Sequence, residues 1–216
     1  MKNIYIKIRR IPNFSFIVNN PFLNYTTFYN YSIINRSSFS LYNAKIGLFN
    51  DSDIGNLRLM TDAVHEHGSL AGIELVYQGL AGKNHYSRLP TLAPTHASVL
   101  GGYPMQARAM DKSDIKNLRR WYRDAAIRSK KAGFDIVYTY AGHGLSVLMH
   151  FLSRQHNDRT DEYGGSLENR ARLLKEVLID TKEAVGDTCA VALRIAVDEL
   201  LGNNGIQAGG EGSDII

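Results

Sequence analysis

The chain has 216 residues, with 25 Lys and Arg against 21 Asp and Glu, 44% hydrophobic residues and a single Cys. These proportions fit one globular domain with a sizeable core and exclude collagen-like, disulfide-stapled and wholly disordered classes. One thiol also excludes an internal disulfide or an all-cysteine metal site and makes the cytoplasm the expected compartment, and no apolar run approaches the roughly 18 residues of a membrane-spanning helix.

The formal charge of +4 is unevenly placed, because residues 1–50 hold six basic side chains and no acidic one. The remainder is slightly acidic, which argues against nucleic acid as a partner of the whole domain. The first segment has no Gly before residue 47 and is dense in Asn, Tyr, Phe and Ile. A boundary near residue 45 is therefore expected, with an N-terminal extension over 1–45 and the main domain over 46–216. Alternation at Ile4–Ile8 suits a strand, and no helical period follows it. A targeting sequence and a basic-aromatic nucleic-acid arm compete for this stretch with an unusual extension, and the last is favoured because the apolar run is short and the charges are scattered.

From residue 51 helix and strand alternate. Asp51, Ser52 and Asp53 offer cap chemistry for a helix with Ile54, Leu57, Met60 and Val64 on one side and Gly68 at its end. A strand is expected over Leu70–Tyr77, then a long excursion over Ala81–Met110 carrying small elements of its own. Asp111 or Ser113 caps a second helix, with Ile115, Leu118, Tyr122, Ala125 and Ala126 as its stripe and Gly133 as its stop. A strand over Phe134–Tyr140 and a loop over Ala141–Gly165 follow. Ser166 caps a third helix that ends at Gly186, and the apolar run Cys189–Ile195 suits a strand buried on both faces. Three helix-strand repeats define an α/β class with right-handed crossovers.

In such folds ligands collect at the carboxyl ends of the strands. Each strand carries a polar group near that end that its apolar neighbours do not explain: Glu74 on the first, Tyr140 with His143 just beyond on the second, and Arg194 on the third. A guanidinium cannot shed its proton and is costly to bury alone, so an anion or a strong acceptor should face it. Alternation puts Arg194 on the face of Ala190 and Ala192, whose small side chains leave room for a flat ligand. Glu74 and Arg194 could equally pair with each other, and Tyr140 and His143 could be a core tyrosine and a loop cap. His65-Glu66-His67 lacks the spacing of a zinc-protease helix, Gly209-Gly210-Glu211-Gly212 lacks the strand a dinucleotide fingerprint needs, and His150 and His156 share no ligand spacing. No metal site is expected.

Gly133-Phe134-Asp135-Ile136-Val137, Tyr140-Ala141-Gly142-His143 and the run from Asn157 through Arg159-Thr160-Asp161-Glu162-Tyr163-Gly164-Gly165-Ser166-Leu167-Glu168-Asn169-Arg170 resemble the old yellow enzyme family of FMN-dependent oxidoreductases. The likeness covers about Asp51 to Gly202 and is strongest to its trimethylamine and dimethylamine dehydrogenase branch, which includes histamine dehydrogenases and N-methyl amino acid demethylases. It implies a (β/α)8 TIM barrel, here partial, covering about three βα units behind a non-matching N-terminal extension. It further implies FMN as cofactor, with Arg194 against the N1 and C2 carbonyl edge of the flavin and Glu74 accepting its N3 proton. Tyr140 and His143 would be catalytic, with Tyr140 orienting His143 and His143 keeping a substrate amine neutral.

The resemblance also implies an internal piece of a longer protein. The aspartate that completes the Tyr-His triad, the phosphate-binding turns, the iron–sulfur cysteines and the second nucleotide-binding region of the large amine dehydrogenases have no counterpart in this chain. The expected reaction is oxidation of the C–N bond of a methylated amine or N-methyl amino acid, with a small-molecule amine as partner and no membrane or nucleic acid. The alternatives are an NAD(P)H-dependent ene-reductase of the same family, against which Tyr140 counts, and an inactive barrel fragment that associates with itself through exposed strand edges.

Overall fold

The computed structural model describes residues 26–33, 46–82, 89–101 and 105–215. Its elements, in chain order, begin with β1 (Thr26–Ile33), β2 (Ile46–Gly47), α1 (Asp53–His65) and β3 (Leu70–Val76). The excursion after β3 holds β4 (Thr91–Ala93), β5 (Ala97–Ser98) and β6 (Gln106–Ala109). Then come α2 (Lys112–Lys131), β7 (Ile136–Ala141), α3 (Val147–Leu152), α4 (Leu167–Val185), β8 (Ala190–Ile195) and α5 (Glu211–Asp214). The main sheet is parallel throughout, in the order β2-β1-β3-β7-β8, and β4-β6-β5 form a second, small sheet.

The caps anticipated for α2 and α4 form. Asp111 accepts from the Asp114 amide and Asp114 reciprocates, a capping box that satisfies two otherwise orphaned donors. Ser166 accepts from the Asn169 amide at 3.3 Å. The start of α1 differs: Ser52 makes no side-chain cap bond, and Asp53 instead accepts from the amides of Phe49 and Asn50. Asp51 turns away to pair with Arg128 and Lys131 of α2. Gly68, Gly133 and Gly186 follow their helices with φ of 69°, 92° and 63°, a region that side chains with a Cβ rarely enter.

The sheet has two distinct faces. Ala71, Ile73, Leu75 and Tyr77 of the β3 region, Val137 and Ala141 of β7 and Val191 of β8 pack with Leu118, Tyr122, Leu174 and Val177 of the helices in one core. Val76, Ile136, Tyr138 and Tyr140 alternate with them, are also buried, and stand outside that core on the opposite face. Burial on both sides is what a parallel sheet requires, and each fully buried Leu or Ile contributes about 1.5–3 kcal/mol.

Two elements depart from the sequence expectation. The first segment contributes β1, which pairs in parallel with β3 from Thr26 opposite Leu70 to Ile33 opposite Val76. The N-terminal extension read as residues 1–45 thus contributes a strand to the sheet; the expected strand at Ile4–Ile8 lies outside the described residues. Within the connection read as a loop over Ala141–Gly165, Val147–Leu152 forms α3 with all six residues buried. A helix buried all round presents no polar face, so no amphipathic period reveals it. Among the described residues no helix is long and apolar enough to cross a membrane.

Candidate active site

Register decides which side chains meet. Glu74 lies opposite Tyr138, which lies opposite Ala192, and Tyr140 lies opposite Arg194. Partners in a parallel pair project to the same side, so Glu74, Tyr138, Tyr140, Ala192 and Arg194 share the face away from the helices. The Arg194 Nη1 sits 3.3 Å from the Glu74 Oε2, and its guanidinium carbon lies 5.5 Å from the centre of the Tyr140 ring. The Tyr140 hydroxyl is 2.5 Å from Nδ1 of His143. All four residues singled out in the sequence therefore gather at the carboxyl edge of β3, β7 and β8. Tyr138 joins them, and strand alternation two residues before Tyr140 was the signal that could have found it.

Arg194 and Glu74 do pair, as the plain ion-pair alternative required, yet the pair is incomplete. The Glu74 side chain is 8% exposed and that of Arg194 28% exposed, so the guanidinium keeps an accessible side. The second Glu74 oxygen, Oε1, is buried with no hydrogen-bond partner among the described residues. A buried unsatisfied acceptor costs about 1–3 kcal/mol and calls for a donor. Burial raises the Glu74 carboxyl above its ordinary range, an effect Arg194 only partly opposes.

Loop geometry holds His143. Leu145 donates from its amide to the Gly142 carbonyl at 3.1 Å, closing a turn whose central residues, His143 and Gly144, have φ of 56° and 64°. Left-handed backbone costs a residue with a Cβ roughly 1–2 kcal/mol, and such strain gathers where geometry serves a site. Ser146 donates to the Tyr140 carbonyl and Val147 to the Tyr77 carbonyl, fastening the loop to both strands. Partial burial, helped by the nearby Arg194 cation, lowers the pKa of His143, which favours the neutral ring, with either a donor or an acceptor at Nε2.

The long motif that suggested the family lies beside this constellation rather than in it. Asn157 donates to the carbonyls of Phe151 and Tyr163, and Arg159 binds Asp161 and the carbonyls of Pro94 and Met110. Arg170, 2% exposed, donates to the carbonyls of Gly165 and Leu152 and to Glu211. A Cβ at Gly164 would stand 2.1 Å from the Arg159 carbonyl oxygen. These residues clasp the connection between β7 and α4 to the excursion. Elsewhere the contacts are structural: His65 binds Asp135, Cys189 is buried, and a Cβ at Gly212 would collide with the Val197 carbonyl. Among the described residues no cluster of three or more His, Cys, Asp or Glu could hold a metal ion.

The profile of the NADH:flavin oxidoreductase / NADH oxidase family matches residues 28–211. The chain belongs to this family. It is 39% identical over 167 residues to dimethylamine dehydrogenase of Hyphomicrobium sp., covering 74% of this chain and 22% of that protein. To NADPH dehydrogenase of Bacillus cytotoxicus it is 37% identical over 142 residues, covering 65% and 39%. Histamine dehydrogenase from Rhizobium sp. 4-9 superposes with a TM-score of 0.79 at 49% identity, over 82% of this chain and 26% of its own. The 6-hydroxypseudooxynicotine amine oxidase of Pseudomonas geniculata N1 gives 0.84 at 44%, over 88% and 28%. The chain thus spans between about a fifth and two fifths of its curated relatives, and its five parallel strands form part of the family's TIM barrel.

FMN is the cofactor of the family, and the residues present fit it. The accessible guanidinium of Arg194 suits the carbonyl-rich pyrimidine edge of a flavin, and the orphaned Glu74 Oε1 suits an N–H donor on that edge.

Proposed function

We propose that the protein to which this chain belongs oxidises the C–N bond of a small amine, a methylated amine or N-methyl amino acid being the class expected. The observation that carries the reading is the hydrogen-bonded Tyr140–His143 pair, set three residues apart on the face that also presents Arg194 and Glu74. Likeness to dimethylamine dehydrogenase and histamine dehydrogenase supports it. When bound, FMN supplies the two-electron acceptor for the C–H bond next to nitrogen. The substrate leaves as an imine, which water hydrolyses to an aldehyde and the shortened amine.

Tyr140 and His143 have the role of governing the amine's proton. An amine must be neutral to surrender a hydride from the adjacent carbon, and a neutral imidazole held below its ordinary pKa can accept a hydrogen bond from N–H without competing as a second cation. Arg194 has the role of a fixed positive charge toward the flavin, stabilising negative charge that grows on reduction, and Glu74 holds that guanidinium in place. Ala192, between Tyr138 and the strand's outer edge, leaves space on the same face.

Anaerobic mixing of the FMN-loaded full-length protein with dimethylamine, histamine or sarcosine tests the reading. Bleaching of the flavin absorption by at least one of these is the expected result. The likeness to an NADPH dehydrogenase favours a second reading, reduction of activated alkenes. NADPH-driven turnover of 2-cyclohexenone without bleaching by any amine would replace the first reading with the second.

A further inference from the structure

His150 is the most buried histidine of the described chain, with no exposed surface, and the proposed chemistry does not use it. Its ring joins two loops. Nδ1 lies 3.3 Å from the Leu80 amide, in the short 3-10 turn Gly79–Ala81 that follows β3. Nε2 lies 2.8 Å from the Gly144 carbonyl, in the turn that carries His143. The partners dictate the tautomer. A carbonyl only accepts, so Nε2 bears the proton; an amide only donates, so Nδ1 keeps its lone pair. A second proton would point at the Leu80 N–H and break that bond.

The approach is close. A Cβ at Gly79 would stand 2.7 Å from Nδ1 of His150, and Gly79 has a φ of 56°. A residue without a Cβ is thus required on both counts, so the loop after β3 is shaped to receive the ring. The titratable neighbour is His156, edge-on at 5.3 Å.

We infer that His150 is a positioning residue, which ties the His143–Gly144 turn to the loop after β3 and so fixes the His143 imidazole against Tyr140 and Arg194. The inference rests on the amine-oxidation reading only for the role given to His143. The turn is strained at His143, and the Gly144 bond adds a tie to the loop after β3 beside the Ser146 and Val147 bonds to the strands; without it, the imidazole gains freedom to leave the Tyr140 hydroxyl and the field of Arg194. Glutamine can replace the ring, since its amide donates to one carbonyl and accepts from one N–H. Leucine fills similar volume and does neither.

The test is titration of His143 in FMN-loaded full-length protein labelled at histidine Cε1, with its signal assigned by loss in His143→Asn. Wild type is expected to titrate below the ordinary imidazole value. His150→Leu should raise that midpoint by about 0.5 unit or more toward the ordinary ~6.5 and lower kcat for flavin reduction about tenfold with little change in KM, whereas His150→Gln should keep the wild-type midpoint. A folded, flavin-loaded H150L protein with both the midpoint and kcat of wild type overturns the inference. Should H150L fail to fold, the nitrogen spectrum of wild-type His150 decides: a protonated Nε2 beside a bare Nδ1 upholds it, and the opposite tautomer overturns it. If no amine reduces the flavin but H150L still moves the His143 midpoint, the amine reading fails and the positioning role stands.

Discussion

At the scale of single residues, the chemistry rests on charges whose solvation is incomplete. Arg194 pairs with Glu74 and keeps an accessible side, so Arg194→Gln should weaken FMN binding and slow flavin reduction by roughly 10²- to 10³-fold, the usual cost of losing a donor aimed at developing charge. Retained flavin content and an unchanged reduction rate would remove Arg194 from the site. Tyr140→Phe deletes the hydroxyl at Nδ1 of His143 and should lower kcat/KM for an amine on the order of 10²-fold, with the pH profile of kcat/KM displaced. Acid should also destabilise the protein through two histidines. Burial pushes His150 down to about 3 and lowers His156 against a small opposing pull from Glu199. Below about pH 6.5 the unfolded chain takes up protons that the fold refuses, so stability is complete above that value and is lost as pH falls toward 3. Urea midpoints of wild type at about pH 7.5 and pH 5 should therefore differ more than those of H150Q.

Among the elements, the connection between β7 and α4 decides whether the site can form. Arg170 is buried against the carbonyls of Gly165 and Leu152 and against Glu211; Glu211 has a second partner in Arg154, so removing Arg170 leaves the two carbonyls without that donor. Arg170→Met should cost about 1–3 kcal/mol for each carbonyl left unsatisfied, read as a fall in Tm of roughly 2–4 °C per kcal/mol for a chain of this size. Gly164→Ala, which drives a Cβ into the Arg159 carbonyl, should cost about 3 kcal/mol. Neither side chain faces the site, so any variant that still folds should keep its flavin spectrum. The motif that resembled a flavoenzyme in the sequence is thus a scaffold, a clasp of interlocking charges and carbonyls.

For the molecule as a whole, five parallel strands present β2 and β8 as the outer members of the sheet among the described residues. Parallel edges carry unpaired amides and carbonyls and recruit further strands. The 216-residue chain purified by itself should sediment as an oligomer, and a stable monomer at tens of micromolar would contradict this. Ala190 and Ala192 on the face of β8 away from the helices are partly exposed, in keeping with a sheet whose inner face continues into the rest of a barrel.

The order of helices and strands from residue 51 was legible because capping residues, glycine stops and apolar periods are local signals. Asp111, Ser166, Gly68, Gly133 and Gly186 act where the sequence puts them. Glu74, Tyr140, His143 and Arg194 could be picked out because a polar group in a buried strand needs a reason. The sequence could not show α3, whose six residues are all buried, nor β1, whose place follows from pairing with β3 across 36 intervening residues. Nor could it show that Arg194 meets both Glu74 and Tyr140, or that His150 spans two loops. Those facts belong to register and to loop closure, since hydrogen bonds between distant segments are specified only when the sheet brings the segments together.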